Sequence, residues 1–402
     1  DLSIIKQITD VIEGVQGIQL LDVDPGDSTN RTVVTFIGEP EPVAEAAFRA
    51  VQKAADLIDM SKHHGEHSRF GATDVCPFVP VSNASMEDCV EIAQAVGKRI
   101  GEELQIPVYL YEHAASVPER RNLAKVRAGE YEGLEKKLAI PAWKPDFGPA
   151  VFNPGAGATA VGAREFLIAY NINLNTTDRR YANEIAYESR ERGRWKRVGN
   201  IEPFYYKGDV VYFEEGKYPD GNSDFVAGTF EELAGHYKEQ YGKDLYARYR
   251  SIGLDPDNLV GRPVYKDGMF THLKGIGWVV DDYQCAQISM NLTNYKITHP
   301  ADVLEAVRKL AVERGIVITG SEVVGVVPWD AMRQAGEFYL RRMQKSTGIP
   351  ARDIAVTAVQ AMGLSDVAEF DIDKKIIGMP VADGPLVSMK VSDFVDEVSR
   401  DT

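Results

Sequence analysis

The segment Gly275-Ile-Gly-Trp-Val-Val280 repeats an earlier segment of the chain, Gly17-Ile-Gln-Leu-Leu-Asp22. In both, a glycine precedes a short apolar run that is typical of a β-strand. Further along, a proline opens a helix-forming stretch, at Pro42 in the first case and at Pro300 in the second. The separation is 258 residues for both pairs (275 − 17 and 300 − 42). A constant separation over two elements indicates an internal duplication.

The repeated unit has the order strand-helix-strand-strand-helix-strand, which is the split βαβ arrangement of ferredoxin-like domains. In the second copy, residues 166–172 are the predicted first strand and 181–192 the predicted first helix. The first copy begins on an amphipathic helix, so we expect a strand to precede Asp1 in the natural protein. The predicted fold class is therefore α+β, built from tandem duplicated ferredoxin-like (βαββαβ) subdomains. The second copy carries an insertion, and a helical extension follows it.

The duplication also predicts the domain boundaries. The first subdomain is expected to cover 1–163 and the second 164–340. The insertion lies at about 195–270 and is rich in tyrosine and charge. This segment could cap a ligand groove or widen a dimer contact. Tyrosine is common at protein interfaces, so we expect the dimer contact. Residues 341–402 form the predicted extension, which ends in an amphipathic tail.

Local patterns predict some structure inside the insertion. Residues 210–214 have the composition of a strand. Thr229 and Glu232 have the spacing of a capping box, which predicts a helix that runs through Tyr249. These patterns indicate a folded subdomain.

One loop distinguishes the first copy from the second. Between its second helix and its last strand, the first copy is about ten residues longer, because the offset falls to 248 (328 − 80). The additional residues contain His63, His64, Glu66 and His67. Loops that are held between rigid elements often carry catalytic groups. The duplication therefore supplies a scaffold, and one copy carries an added chemical loop.

Three interpretations of this loop remain open from its residues alone. His63-x-x-Glu66-His67 matches an inverted zinc-protease motif, which would make the chain a metal-dependent hydrolase. That motif requires a continuous helix, and Gly65 interrupts it. Alternatively, a single histidine acts as a general base near physiological pH. The third interpretation is a polar surface loop without a chemical role.

Two further stretches have a possible binding role. Residues 155–164 are rich in glycine, but they precede a strand and lack a Gly-Lys-Ser/Thr ending, which argues against nucleotide binding. We expect these glycines to allow close backbone approach. The basic stretch 119–127 is either a solvated surface or an arginine clamp for carboxylates.

Composition narrows the class of protein. The chain has 402 residues, of which 44% are hydrophobic, and a net charge of -15. This charge argues against nucleic acid as the main partner. No apolar run of the sequence approaches the length of a membrane span, and we expect no signal peptide. Its three cysteines, Cys76, Cys89 and Cys285, are widely spaced. This spacing fits a reducing cytoplasm. The net charge does not exclude anionic small molecules as ligands, because a local basic cluster can override it.

Several long motifs resemble the glutamate formimidoyltransferase family, which is the transferase part of formimidoyltransferase-cyclodeaminase. The resemblance covers about 1–175 and 272–340. The motifs that carry it are Leu-Leu-Asp22-Val-Asp24-x-Gly-x-Ser-Thr-Asn30-Arg31-Thr, His-x-Gly-Glu-His67-x-Arg69, Asp74-Val-Cys-Pro-Phe, Arg127-Ala-Gly-Glu-Tyr131, Pro145-Asp-Phe-Gly-Pro149 and Gly-Ala-Thr-Ala-x-Gly-Ala-Arg164. The tail from Lys390 resembles the opening of the cyclodeaminase module, so a fused or partner cyclodeaminase is implied.

The resemblance implies an activity, namely transfer of the formimidoyl group of N-formimidoyl-L-glutamate to N5 of tetrahydrofolate. It implies tetrahydrofolate as co-substrate, no metal, and a homodimer or larger homo-oligomer. The same family resemblance leaves N-formylglutamate open as the donor.

The resemblance also implies the site residues. His67 aligns with the catalytic histidine of the family and Asp24 with its acidic partner. The residues expected to bind substrate or folate are Arg31, Glu66, Arg69, Asp74, Arg127, Gly157 and Arg164.

Overall fold

The computed structural model of the chain describes residues 1–26, 30–65, 68–202, 204–281 and 283–380. Glu66, His67 and the predicted amphipathic tail therefore lie outside the described residues. Within the described part of the chain, no helix is both long and apolar enough to cross a membrane.

The chain opens with two helices that pack on one face of a two-stranded β-ribbon. Its elements are α1 (Leu2–Glu13), β1 (Ile18–Gly26), β2 (Arg31–Gly38) and α2 (Pro40–Leu57). β1 and β2 pair in antiparallel register. Val34 and Phe36 pack against the helices. Side chains alternate along a strand, so those of Val33 and Thr35 lie on the opposite face. Their cross-strand partners, Asp24 and Asp22, lie on that same face.

A parallel sheet follows. Its surrounding elements are β3 (Val75–Phe78), α3 (Met86–Glu103), β4 (Val108–Glu112), α4 (Leu123–Val126), α5 (Glu130–Leu138) and β5 (Thr159–Ala163). The strand order is β3-β5-β4. Ser85 and Asp88 form a capping box at the start of α3. β5 lies inside the glycine-rich stretch 155–164, for which no strand was predicted.

The first half differs from the single sheet expected for one ferredoxin-like unit. Among the described residues, no ladder joins β2 to β3, so the β1-β2 ribbon and the β3-β5-β4 sheet remain separate. No described strand lies between them to supply the missing hydrogen bonds. β5, which the repeat did not predict, pairs with β3 instead.

The second half begins with β6 (Ile168–Leu174) and α6 (Arg179–Ser189), and the insertion comes next. The insertion contains β7 (Arg194–Trp195), β8 (Arg197–Val198), β9 (Asp209–Val210), β10 (Tyr218–Pro219), β11 (Val226–Ala227), α7 (Phe230–Tyr241), α8 (Leu245–Ser251) and β12 (Tyr265–Lys266). Two predictions were wrong in extent. The strand predicted at 210–214 is only β9, and the helix predicted through Tyr249 ends at Gly242, where φ is 67°. A positive φ interrupts a right-handed helix.

An ion-pair network attaches the insertion to the second half. Arg194, at the start of the insertion, binds Glu184 of α6 at 2.5 and 3.0 Å and Glu188 at 3.1 Å. Arg314, which follows the next helix of the second half, binds Glu188 at 2.7 Å. The side chains of Arg194, Glu184 and Arg314 are 4–6% exposed. The insertion is therefore joined to the second half through buried charges.

The rest of the second half completes a four-stranded sheet. The elements are β13 (Leu273–Val280), β14 (Cys285–Leu292), α9 (Pro300–Glu313) and β15 (Ile318–Val324). The order is β13-β14-β6-β15, and every neighbouring pair is antiparallel. One face packs on α6 and α9 through Ile172, Ile288 and Leu304. α9 begins at Pro300, as predicted.

The C-terminal elements pack back on both halves. β16 (Val327–Pro328) and nearly all of α10 (Trp329–Arg342) fall within the predicted second subdomain, and α11 (Ala351–Met362), α12 (Ile372–Lys375) and β17 (Ile376–Ile377) fall within the extension. Lys375 Nζ donates to the Gly325 carbonyl oxygen at 3.2 Å and lies 3.7 Å from Asp22 Oδ2. The extension thereby reaches the β-ribbon of the first half. Short 3₁₀ helices lie at Met60–Lys62, Pro118–Arg120, Pro141–Trp143 and Tyr205–Lys207.

Candidate active site

Four charged residues from distant parts of the first half form one cluster. Asp24 and Arg31 lie near the paired ends of β1 and β2, Asp74 precedes β3, and Arg127 ends α4. Arg127 Nη2 donates to Asp74 Oδ2 at 2.6 Å. Burial lowers the pKa of Arg31, and the negative charges of Asp74 and Asp24 oppose that shift. The fold therefore brings together four of the nine residues that the family resemblance implied.

Asp74 occupies an unusual electrostatic environment. Burial raises its pKa to about 6, although the positive charges of Arg127 and Arg31 act in the opposite direction. Its Oδ2 binds Arg127, whereas Oδ1 is buried and has no hydrogen-bond partner among the described residues. A carboxylate whose pKa lies near neutrality can change charge over the physiological pH range.

This pKa predicts a pH dependence of stability for Asp74. The folded state retains the proton up to about pH 6, whereas the ordinary value is 3.8, so ionisation costs the folded state free energy. Relative to Asp74→Asn, the wild-type free energy of unfolding should fall by up to about 3 kcal/mol as pH rises through this window. Urea unfolding of both proteins at about pH 4 and about pH 7 measures the difference.

The comparison with Asp74→Asn cancels the contribution of the other titrating groups. A difference that stays constant between the two pH values would show that Asp74 ionises at its ordinary pKa. If the stability of the wild type relative to Asp74→Asn increases with pH instead of falling, the ion pairs outweigh burial in setting the pKa of Asp74.

The histidine loop is attached to this cluster from both sides. Asn30 Nδ2 lies 3.3 Å from His63 Nδ1 and donates to the His64 carbonyl oxygen at 2.7 Å. On the other side, Arg127 donates to the carbonyl oxygen of Ser68, the residue that follows His67. Arg127 thus binds both Asp74 and the chain next to the predicted general base.

Arg69 supports the same loop. Its Nη1 donates to the Met60 carbonyl oxygen at 2.8 Å, and its Nη2 pairs with Glu132. The guanidinium also lies 4.7 Å from the ring centroid of Tyr131, whose backbone N–H donates to the Arg69 carbonyl oxygen. These contacts tie the loop to α5. Arg69 was predicted to bind substrate, and the structure shows that its guanidinium holds protein groups.

Gly157 allows two backbone segments to meet beneath the loop. It has φ 68° and forms a bridge with Gly71. A Cβ at Gly157 would lie 2.5 Å from the Phe70 carbonyl oxygen, which is too close for any side chain. The predicted close approach is therefore an approach of the chain to itself, next to the histidine loop.

Arg164 is not part of the cluster. It follows β5, which is parallel to β3, whereas Asp74 precedes β3. Five residues of parallel strand separate the two levels, or about 16 Å. Arg164 Nη1 donates to the Glu165 carbonyl oxygen at 3.0 Å. The structure therefore places Arg164 at the opposite end of the sheet.

Two further residues near the site had no predicted role. Asn30 was part of a quoted motif, but its contact with the histidine loop depends on chain folding over more than 30 residues. Lys137 is 7% exposed and lies on the apolar face of α5 with Leu134 and Leu138. A lysine at helical spacing within an apolar face was the available signal for it.

The described residues contain no cluster of three or more histidine, cysteine, aspartate or glutamate side chains that could hold a metal ion. Glu66 and His67, which the metal hypothesis needs, lie outside the described residues.

Comparison with known proteins identifies the family. The sequence model of the family 'Formiminotransferase domain, N-terminal subdomain' matches residues 1–164. The sequence model of the family 'Formiminotransferase domain' matches residues 234–382. The glutamate formimidoyltransferase of Thermoplasma acidophilum is 36% identical, with 85% of this chain and 88% of the relative covered. That of Streptococcus pyogenes serotype M1 is 34% identical, with 84% and 89% covered.

A longer relative matches almost the whole chain. The formimidoyltransferase-cyclodeaminase of Dictyostelium discoideum is 40% identical over 98% of this chain. The chain spans 62% of the length of that protein. With identity above one third over most of two glutamate formimidoyltransferases, and with both domain models matched, this chain belongs to the glutamate formimidoyltransferase family.

Proposed function

We propose that this chain transfers the formimidoyl group of N-formimidoyl-L-glutamate to N5 of tetrahydrofolate, giving 5-formimidoyltetrahydrofolate and L-glutamate. The observation that carries the proposal is the match to two glutamate formimidoyltransferases over most of their length. Tetrahydrofolate is then the co-substrate. The metal-dependent hydrolase is not favoured by these relatives, and no metal is part of the proposal.

The chemistry needs one proton acceptor that also acts as a donor. N5 of tetrahydrofolate attacks the amidine carbon and loses a proton, which His67 takes as general base. The bond between that carbon and the glutamate nitrogen then breaks. The imidazolium of His67 returns the proton to the departing nitrogen, so charge and atoms balance. A neutral imidazole near physiological pH suits both steps.

The charged cluster orients this reaction. The amidine carries positive charge before attack, so the carboxylate of Asp24 can orient it or the imidazole. Both substrates carry glutamate carboxylates, for which Arg31 and Arg127 supply positive charge. Arg127 also donates both to the carbonyl oxygen of Ser68, which is next to His67 in the chain, and to the carboxylate of Asp74. The proposal keeps the substrate- or folate-binding role that the resemblance implied for Glu66, Arg69, Asp74, Gly157 and Arg164. Arg69 and Gly157 are proposed to act by supporting the histidine loop.

The architecture is proposed to be a tandem of ferredoxin-like units with boundaries at 1–163, 164–340 and 341–402. For the second unit, the element order and the strand order β13-β14-β6-β15 support this arrangement. We further propose a homodimer or larger homo-oligomer to which the insertion contributes, in the cytoplasm. A fused or partner cyclodeaminase is proposed because the animal and Dictyostelium relatives are named as bifunctional proteins.

Steady-state turnover tests the proposal directly. Purified protein with tetrahydrofolate and N-formimidoyl-L-glutamate should release L-glutamate. N-formyl-L-glutamate in a parallel assay identifies the preferred donor, and a chelator should leave the rate unchanged. Turnover that requires zinc, or release of glutamate without tetrahydrofolate, would support a hydrolase instead. Preference for the formyl donor would change the assigned substrate within the family.

A further inference from the structure

Lys137 is a buried cation that the proposed mechanism does not use. Its side chain extends from α5 towards the end of α4, and 7% of the residue is exposed. Nζ donates to the carbonyl oxygens of Lys125 at 3.1 Å and Ala128 at 2.9 Å, and also to that of Val126. All three carbonyls flank Arg127 in the chain. One ammonium group therefore fixes the backbone on both sides of this arginine.

Two aromatic rings lie beside the ammonium group. Nζ lies 4.3 Å from the ring centroid of Trp143 and 5.8 Å from that of Phe70. A cation over aromatic faces is stabilised electrostatically, most of all where water is excluded. Burial lowers the pKa of Lys137 to about 8, and the positive charge of Arg120 adds to this shift. The protein thus holds a costly charge at this position.

Arg127 is the residue that this arrangement serves. α4 has only four residues, and Arg127 ends it with a backbone N–H that donates to the Leu123 carbonyl oxygen at 2.9 Å. So short a helix does not fix the direction of its last side chain by itself. The guanidinium nevertheless has to reach both Asp74 and the carbonyl oxygen of Ser68.

We propose that Lys137 is a positioning residue for the transferase reaction, which acts through Arg127 by fixing the three carbonyls around it. This inference rests on the proposed function. Among the described residues, Lys137 has no hydrogen bond or ion pair with Asp74 or with the histidine loop, so its effect on the reaction is expected to pass through Arg127. A displacement of about 1 Å at such a remote support can lower a rate by roughly 10²-fold.

Lys137→Met tests the proposal, because methionine keeps most of the length of the unbranched side chain and removes the three N–H donors. Its matched control is Lys136→Met, which removes the neighbouring exposed lysine. We expect Lys137→Met to lower kcat/KM by about 10- to 100-fold. Lys136→Met should keep wild-type kinetics. Lys137→Gln, which retains two N–H donors, should lose less activity than Lys137→Met.

A double-mutant cycle separates positioning from general loss of structure. If Lys137 acts through Arg127, adding Lys137→Met to Arg127→Ala should change kcat/KM by less than about 2-fold. The same large loss in both backgrounds, or wild-type kinetics for Lys137→Met, would overturn the proposal. If Lys137→Met does not fold, Lys137→Gln takes its place in the cycle.

A readout without the reaction keeps this inference distinct from the proposed function. Arg127 and Arg31 are the main positive charges that lower the pKa of Asp74, and Lys137 is not among its main perturbing groups. If Lys137→Met moves Arg127 away, the pKa of Asp74 rises. The fall in unfolding free energy that accompanies ionisation of Asp74 then occurs at higher pH. It is measured by comparing Lys137→Met with the double variant Lys137→Met/Asp74→Asn. An unchanged pH for this fall would contradict the proposal, even if the wild type showed no turnover with formimidoylglutamate.

Discussion

Replacement of His67 by alanine is expected to lower kcat by about 10²- to 10⁴-fold, which is the range for loss of a positioned general acid-base group. His67 is the proposed acceptor of the N5 proton and the proposed donor to the departing nitrogen. Its loss therefore affects both halves of the reaction. Binding of a folate analogue should change little, because the proposal gives His67 no role in ground-state binding. Steady-state kinetics and equilibrium binding measure the two effects separately.

His63 and His64 provide matched controls for this prediction. Both are neighbours of His67 in the loop, and Asn30 contacts the Nδ1 of the first and the carbonyl oxygen of the second. Alanine at His64 keeps the carbonyl and should have a small effect. If His67→Ala retains nearly full turnover and His63→Ala loses it, the assignment of the general base is wrong.

Loss of one carboxylate from the ion-pair network at the base of the insertion is expected to have the largest effect on stability. Glu184→Gln keeps the shape of the side chain but leaves the guanidiniums of Arg194 and Arg314, both 5–6% exposed, with fewer negative charges. Breaking a buried ion pair in this way costs about 3–5 kcal/mol. The urea midpoint of unfolding measures the loss.

A surface ion pair of the insertion provides the control for Glu184→Gln. Lys217 pairs with Glu214 at 3.0 Å, and the two side chains are 67% and 63% exposed. Lys217→Met should change stability by less than about 1 kcal/mol. Equal effects of the two substitutions would show that the buried network adds nothing beyond an exposed pair.

Local chemistry made several elements predictable from the sequence. Pro300 starts α9, and Ser85 with Asp88 starts α3, because proline geometry and the capping box act within one turn of helix. Each of these signals depends on residues that are close in sequence.

Other features depend on contacts between distant residues, and the sequence did not predict them. β5 has small residues, Thr-Ala-Val-Gly-Ala, which resemble a loop until their pairing with β3 and β4 is known. Asp74 and Arg127 were both expected in the site, but their direct contact and the role of Arg127 in holding Ser68 were not. Lys137 had no motif of its own. Such partners are chosen by the fold and not by spacing along the chain.

Because Lys375 contacts Asp22, the electrostatics beside the proposed site depend on a part of the chain that contains none of its reactive residues. Every residue assigned to the proposed site lies before 165, yet the counter-charge of a carboxylate two positions from Asp24 comes from α12. Asp22 is 15% exposed at its side chain, and its Oδ2 has no hydrogen-bond partner among the described residues. A chain shortened to end at 340 would retain every residue of the proposed site, but it would leave that carboxylate without its counter-charge and remove core residues such as Ala355 and Met362. The shortest active chain is therefore expected to include the extension, although the extension supplies no catalytic group.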